Sequence, residues 1–250
     1  MFKQFTIIAS VTLMLAGCGG GSSDPIVVTP PTTQQSSAGF WNGTTSRGQL
    51  VSGVVLNNGV FWFLYTDPSA STITGFINGN SNVSGSTFTS SNATDFYLSG
   101  ATIAPATIAG VAQTQQSLNG TLSYTGQSST VKFNTTYDPK YTITPSLSTV
   151  AGSYSGSVSV LGSTQSTTLN ISGNGTIFMS GACAITGTIG LGATSGNTYN
   201  VQLSFGAAPC AYPNKIVNGI GLYDATSKHL YIAATDSNNA SPYLFVGTHS

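Results

Sequence analysis

From residue 39 onward the chain is a succession of short runs rich in Val, Ile, Thr, Tyr and Phe, each stopped by Gly, Asn or Ser. No window carries a 3.6-residue apolar period. β-Branched and aromatic side chains suit a pleated, half-buried surface, while Gly and Asn supply turns, so the pattern predicts strands nearly throughout. The clearest hairpin is Val54-Val55-Leu56-Asn57-Asn58-Gly59-Val60-Phe61-Trp62-Phe63. Asn58-Gly59 suits a type I′ turn there, because both residues tolerate positive φ and that turn matches the twist of the strands it joins. Ile171-Ser172-Gly173-Asn174-Gly175-Thr176-Ile177-Phe178 repeats the device.

The repetition extends further. Ala38-Gly39-Phe40-Trp41-Asn42-Gly43 recurs as Ala151-Gly152-Ser153-Tyr154-Ser155-Gly156, and Ile73-Thr74-Gly75-Phe76-Ile77 as Ile185-Thr186-Gly187-Thr188-Ile189. Gly85-Ser86-Thr87-Phe88 recurs as Gly196-Asn197-Thr198-Tyr199, and Leu118-Asn119-Gly120-Thr121-Leu122-Ser123-Tyr124 as Val217-Asn218-Gly219-Ile220-Gly221-Leu222-Tyr223. The order is kept while the offset drifts from 113 to 99. A duplicated β-domain over 39–144 and 151–250, joined by a linker at 145–150, accounts for this pattern. A sheet of about eight short strands curls, and closure removes its edges. The expected fold is therefore all-β, two tandem antiparallel up-and-down barrels; a pair of open sandwiches is the alternative. The opening Gly39-Phe40-Trp41-Asn42-Gly43 resembles the first strand of lipocalin- and avidin-like barrels and of Gram-negative surface lipoproteins such as transferrin-binding protein B and factor H-binding protein. That resemblance implies an aromatic residue closing one end of each barrel, with Tyr154 in place of Trp in the second copy, and implies no ligand.

The amino end sets the expected location. A cationic head, Met1-Phe2-Lys3, precedes an apolar stretch from Phe5 to Leu15 and then Leu15-Ala16-Gly17-Cys18. This is the layout of a secretory signal, too short to remain as a spanning helix. The tetrapeptide resembles the lipobox of bacterial lipoproteins. The resemblance implies that residues 1–17 are removed and that Cys18 is acylated, which makes the membrane a partner through lipid. Gly19 rather than Asp after the cysteine leans toward the outer membrane. The Gly/Ser- and Pro-rich stretch up to Ala38 reads as a flexible tether (18–38). Export makes a disulfide between Cys183 and Cys210 the expectation, with a metal site or a reactive thiol as the alternatives.

Charge excludes some functions. Charged residues are 5% of the 250-residue chain, against about 25% in ordinary domains, and there is no Glu. Without Lys3, six Asp face five bases (Arg47, Lys132, Lys140, Lys215, Lys228), a balance of −1. So neutral a chain has no field to gather phosphates, and nucleic acid is not an expected partner. Titratable groups for catalysis are few. His229 lies near Asp224 and Asp236 in sequence but without a Gly-x-Ser-x-Gly elbow, and His249 sits at the chain end, where fraying is usual. Asp67 and Asp138 each precede Pro and read as turn formers; Asp95 has no such reading. No catalytic residue, metal site or cofactor is expected.

One stretch is apolar at every position: Val60-Phe61-Trp62-Phe63-Leu64-Tyr65. Strand side chains alternate, so Phe61, Phe63 and Tyr65 face one way and Val60, Trp62 and Leu64 the other. The outward set needs a cover, from the sister domain, from the tether or from a partner. Tyr243-Leu244-Phe245-Val246 poses the same question. The functional expectation is a lipid-anchored envelope protein that binds a protein or glycan partner or serves a structural role. A carrier of a small apolar ligand and a hydrolase are the alternatives.

Overall fold

The computed structural model describes residues 34–192 and 196–250. The expected signal peptide, Cys18 and the expected tether up to residue 33 lie outside the described residues. Two closed antiparallel barrels follow one another along the chain.

Barrel 1 is built from β1 (Gly39–Thr45), β2 (Leu50–Val55), β3 (Val60–Thr66), β4 (Gly75–Asn80), β5 (Asn82–Ser84), β6 (Thr87–Tyr97), β7 (Thr102–Gln113), β8 (Ser117–Tyr124) and β9 (Thr130–Asp138). Neighbours in sequence pair in turn except β4 and β5, β1 pairs with β9, and β4 pairs with β6, which closes the ring; β5 is a short hairpin partner of β6. Barrel 2 closes in simple order through β10 (Gly152–Val160), β11 (Ser163–Ile171), β12 (Thr176–Met179), β13 (Ile185–Leu191), β14 (Tyr199–Phe205), β15 (Ile216–Asp224), β16 (His229–Thr235) and β17 (Tyr243–His249). Up-and-down closure joins each ring on itself, leaving as edges only the short β5 and the part of β11 ahead of Asn170, where β12 no longer pairs.

The two barrels begin alike. In barrel 1 the buried Trp41 donates its indole N–H to the Ser37 carbonyl at 2.8 Å. In barrel 2 the buried Tyr154 donates its hydroxyl to the Val150 carbonyl at 2.9 Å, also four residues back. Both rings meet an aromatic of the closing strand edge-on, Trp41 with Tyr137 at 5.6 Å and Tyr154 with His249 at 5.1 Å. Two residues after each ring a glycine lies against the closing strand. A Cβ on Gly43 would stand 1.9 Å from the Asn134 carbonyl oxygen, and one on Gly156 would stand 2.0 Å from that of Val246. His249 is thus paired within the β10–β17 ladder.

Two expectations are corrected here. The hairpin turns are not type I′, which needs positive φ at both central residues. Only Gly59 (φ 85°) and Gly175 (φ 84°) are left-handed in these loops. Each donates its N–H to the residue three back, Leu56 or Ser172, at 2.9 Å, a three-residue loop with glycine last. The same two glycines accept at 2.8 Å from the N–H of Ser81, just after β4, and of Ile189 in β13, and a Cβ at either would collide with the carbonyl oxygen of that same residue, which disfavours any other residue there. Second, the repeat pair formed by 118–124 and 217–223 matches unlike strands. β8 is seventh in its ring and β15 is sixth in its own. The true counterpart of β8 is β16, whose first residue, 229, lies 112 after 117; β17 begins 113 after β9. The offset therefore does not drift by the fourteen residues that the sequence match implied.

Residues 34–38, assigned to the tether, are bound to barrel 1. Gln35 donates its N–H to the Gly85 carbonyl at 2.9 Å, and Gln34 donates its amide to the Val83 carbonyl at 2.9 Å. Thr114 donates its N–H to the Gln35 side chain at 2.9 Å. Between the barrels, Asp138 caps a 3-10 turn at Pro139–Thr142, and Ser146 caps the single helical turn α1 (Leu147–Val150). That turn plugs the near end of barrel 2. Val150 is fully buried, and Tyr199 donates its hydroxyl to the Ser146 carbonyl at 3.1 Å.

Candidate binding groove between the barrels

β3 divides as strand alternation requires. Phe61 and Phe63 pack inside barrel 1 with Trp41, Phe88 and Leu118. Trp62 and Leu64 face outward, into a separate apolar cluster with Val54, Phe76, Phe96 and Leu98. Barrel 2 completes this cluster with Ile220, Ala233 and Leu244, and Val60 packs at its margin. The outer faces of β2, β3, β4 and β6 thus bury against the outer faces of β15, β16 and β17. Tyr243 and Phe245 turn into the barrel 2 core, whereas Leu244 and Val246 join the shared cluster.

Beside this contact the barrels diverge, and a groove of about 830 Å³ opens between them. Its floor is the margin of the shared cluster, where Leu222 and Val246 are half-buried beside the buried Leu64. One wall carries Asn42 of β1 and Ser52 of β2. The other carries Ser155, Ser157 and Ser159 of β10 with Thr164 and Ser166 of β11. β10 alternates strictly, because Tyr154 and Val158 point into barrel 2, so its serines all point outward. Polar groups at one end are already ordered. Ser52 donates to the Asn42 side-chain oxygen Oδ1 at 2.7 Å, and Asn42 donates its side-chain amide to Asp138 at 3.1 Å. Across the groove His229 and Tyr231 stack at 6.1 Å with their rings 21° apart. Lys140, from the 3-10 turn after β9, donates to Asp224 at 3.1 Å. Burial pushes the Asp224 carboxyl up, but hydrogen bonds from Lys140 and from the Thr226 N–H outweigh it and hold the group below the usual carboxylate range. The same hydrogen bond raises the Lys140 ammonium.

His229 stands opposite Asp224 across the β15–β16 ladder. The His229 ring nitrogens lie 3.0 Å from the Ser227 carbonyl and 3.2 Å from the Thr248 hydroxyl. Asp236 accepts from the N–H groups of Ala240 and Ser241 in its own turn. Among the described residues, no three His, Cys, Asp or Glu side chains gather to hold a metal. Cys183 and Cys210 form a disulfide, joining the loop before β13 to the loop after β14.

Asp95, unexplained in the sequence, lies inside barrel 1 at 6% exposure. Tyr65 donates to one carboxylate oxygen at 2.8 Å and Tyr124 to the other at 2.7 Å. Burial pushes the Asp95 carboxyl up, while the two tyrosine hydrogen bonds and the nearby Arg47 charge oppose that shift. Arg47 lies over the Tyr124 ring, 5.8 Å from its centre. Tyr65 and Tyr124 also line a cavity of about 50 Å³ whose walls include Phe63, Ile77, Leu122 and Phe133. Small-molecule sites run to about 300–1,000 Å³, so this space suits a few waters rather than a lipophilic cargo.

No family model matches the chain, and no curated protein matches it. Among solved structures it is similar to a Bacteroides fragilis protein provisionally described as an outer membrane protein. The match has 12% identity, covers 85% of this chain and 95% of that one, and has a TM-score of 0.24. That likeness is too loose to bear on the groove.

Proposed function

We propose that this chain is a lipid-anchored protein of the bacterial cell envelope, of the outer membrane in particular, that works by holding a partner rather than by turning over a substrate. The anchor reading rests on Leu15-Ala16-Gly17-Cys18 behind its cationic and apolar lead. The binding reading rests on one observation above all. The groove is broad, and its carboxylates, its lysine and its histidine already have partners: Asp224 with Lys140, Asp138 with the Asn42 side chain and the Lys140 N–H, His229 with the Ser227 carbonyl and the Thr248 hydroxyl. Such groups can orient a ligand but are poorly placed to exchange protons with one. A cargo carried within a barrel is disfavoured, because barrel 2 is filled by its apolar cluster and barrel 1 keeps only about 50 Å³.

The test of anchoring is fractionation of cells producing the chain or its Cys18→Ser variant. The wild-type protein is expected with the membranes and to take up labelled palmitate. The variant is expected in the soluble fraction without label. Sedimentation of both with the envelope would overturn the reading.

A further inference from the structure

We propose that the groove between the barrels is a site for a neutral oligosaccharide, bound lengthwise with a sugar ring seated between the Asn42–Ser52–Asp138 group of barrel 1 and the His229–Tyr231 face of barrel 2. This deepens the binding reading above and rests on it.

Three features select this ligand class. The first is the mix of surfaces. A sugar ring has apolar C–H faces and a rim of hydroxyls that both donate and accept. The groove offers the stacked His229 and Tyr231 rings and an apolar floor for the faces. For the rim it offers a carboxylate, an amide and a row of serine hydroxyls. Asn42 and Asp138 are held in place by their own hydrogen bonds and keep spare acceptor capacity, since each carboxylate oxygen has two lone pairs. Preordered polar groups avoid part of the cost of ordering on binding.

The second is charge. Lys140 is matched by Asp224, which leaves Asp138 and His229 as the other ionisable side chains at that end apart from the tyrosines Tyr223 and Tyr231. No cluster of bases is present to hold a phosphorylated or strongly acidic polymer.

The third is the backbone. Extended peptides are commonly held by adding a strand to an open sheet edge. The β10 wall is paired on both sides, with β11 and with β17, so it presents side chains and not unpaired backbone, although β11 beyond it meets β12 only at Asn170 and Ile171. The wall side chains are short hydroxyls in register along β10 and β11, which suits a repeating polyol more than the varied side chains of a peptide.

The experiment uses the detergent-solubilised full chain, titrated calorimetrically with maltohexaose, cellohexaose and N-acetylchitohexaose up to about 10 mM. At least one is expected to bind saturably. Tyr231→Ala is expected to weaken that binding by about tenfold or more, while Tyr231→Phe keeps the face and stays within about threefold of wild type. Ser157→Arg, which fills the groove from an accessible strand position, is expected to abolish it. Phe178→Ser, outside the groove, is expected to leave it unchanged. The proposal is overturned if none of the three sugars saturates, or if the bound sugar is indifferent to both Tyr231→Ala and Ser157→Arg. Fractionation of the Cys18→Ser variant does not depend on sugar, so a failed titration with membrane-bound protein removes the ligand class and leaves the anchor standing.

Discussion

Barrel 1 and barrel 2 share a ring of eight strands, the same hairpin loop with a left-handed glycine, and the same aromatic ring tied to a carbonyl four residues back. They part company at the opposite end. Barrel 1 closes there around Asp95, clamped between Tyr65 and Tyr124, with a small cavity beside it. Barrel 2 closes there with the loop that carries Cys210, whose disulfide reaches back to Cys183, and with Phe205, Tyr212 and Tyr243 packed against it. One twin thus keeps a buried acid, a costly thing to hold in an apolar interior, while the other fills the space and adds a covalent tie. The shared features are those that fix strand register. The unlike features lie where the chain leaves the ring and register no longer constrains it.

That contrast can be broken at several points. The largest effect is expected from Trp41→Ala, about 3–5 kcal/mol, because it empties the near end of barrel 1 and removes a buried indole. Its counterpart in barrel 2, Tyr154→Phe, removes only a hydroxyl bond to Val150 and is expected to cost about 0.5–1.5 kcal/mol. Denaturant titrations of the two variants measure the difference, and equal costs would mean that the two rings do not play the same part. Next comes the joint change Cys183→Ser and Cys210→Ser. It frees a span of 27 residues and is expected to cost about 3–4 kcal/mol by the loop-entropy argument. Hydrogen exchange should accelerate in β13 and β14 well before it does in β7 and β8; a uniform loss across both barrels would contradict their separate closure.

The smallest effect at neutral pH is expected from Asp95→Asn, and it appears as a change of slope. The folded Asp95 carboxyl titrates above its unfolded value, because burial disfavours the anion. The folded state therefore binds the proton more tightly. Its contribution to stability is present below the unfolded carboxylate range and is lost as pH rises through the folded value. Asp224 acts in the opposite sense, since its folded value is lowered, and its contribution fades as pH falls. Denaturation of wild type and Asp95→Asn between about pH 3 and pH 7 should differ by a component that declines with rising pH in the wild type alone. Parallel profiles would show that Asp95 pays no penalty for its charge.

Much of the scaffold was legible because it follows from period and composition. The runs of β-branched and aromatic residues gave the strands. The alternation in Val60–Tyr65 divides its side chains as the two apolar clusters do. The cysteine pair followed from the expectation of export. Turn geometry was less accessible. Asn-Gly is compatible with more than one loop, and only the extra residue, Asn57, distinguishes the three-residue loop from the two-residue one. The mismatched repeat pair arose because an Asn-Gly flanked by strand formers occurs in both β8 and β15, where composition imitates homology. Asp95 was opaque for a different reason. Nothing in Thr94-Asp95-Phe96 tells which tyrosines will stand opposite once the ring closes, since Tyr65 and Tyr124 are about thirty residues away on either side. The groove was equally hidden. It is made of common serines whose meaning depends on how two barrels pack.

The lacing of residues 34–38 onto barrel 1 has a mechanical consequence. Were the chain to enter β1 directly, a pull on its leading end would peel that strand from β9 one hydrogen bond at a time. Instead Gln34 and Gln35 are buttoned to Val83, Gly85 and Thr114, on the β5–β6 and β7–β8 corners. Load arriving from ahead of Gln34 is shared among several strands before it reaches the seam of the ring, so a leash can tug on this body without unzipping it.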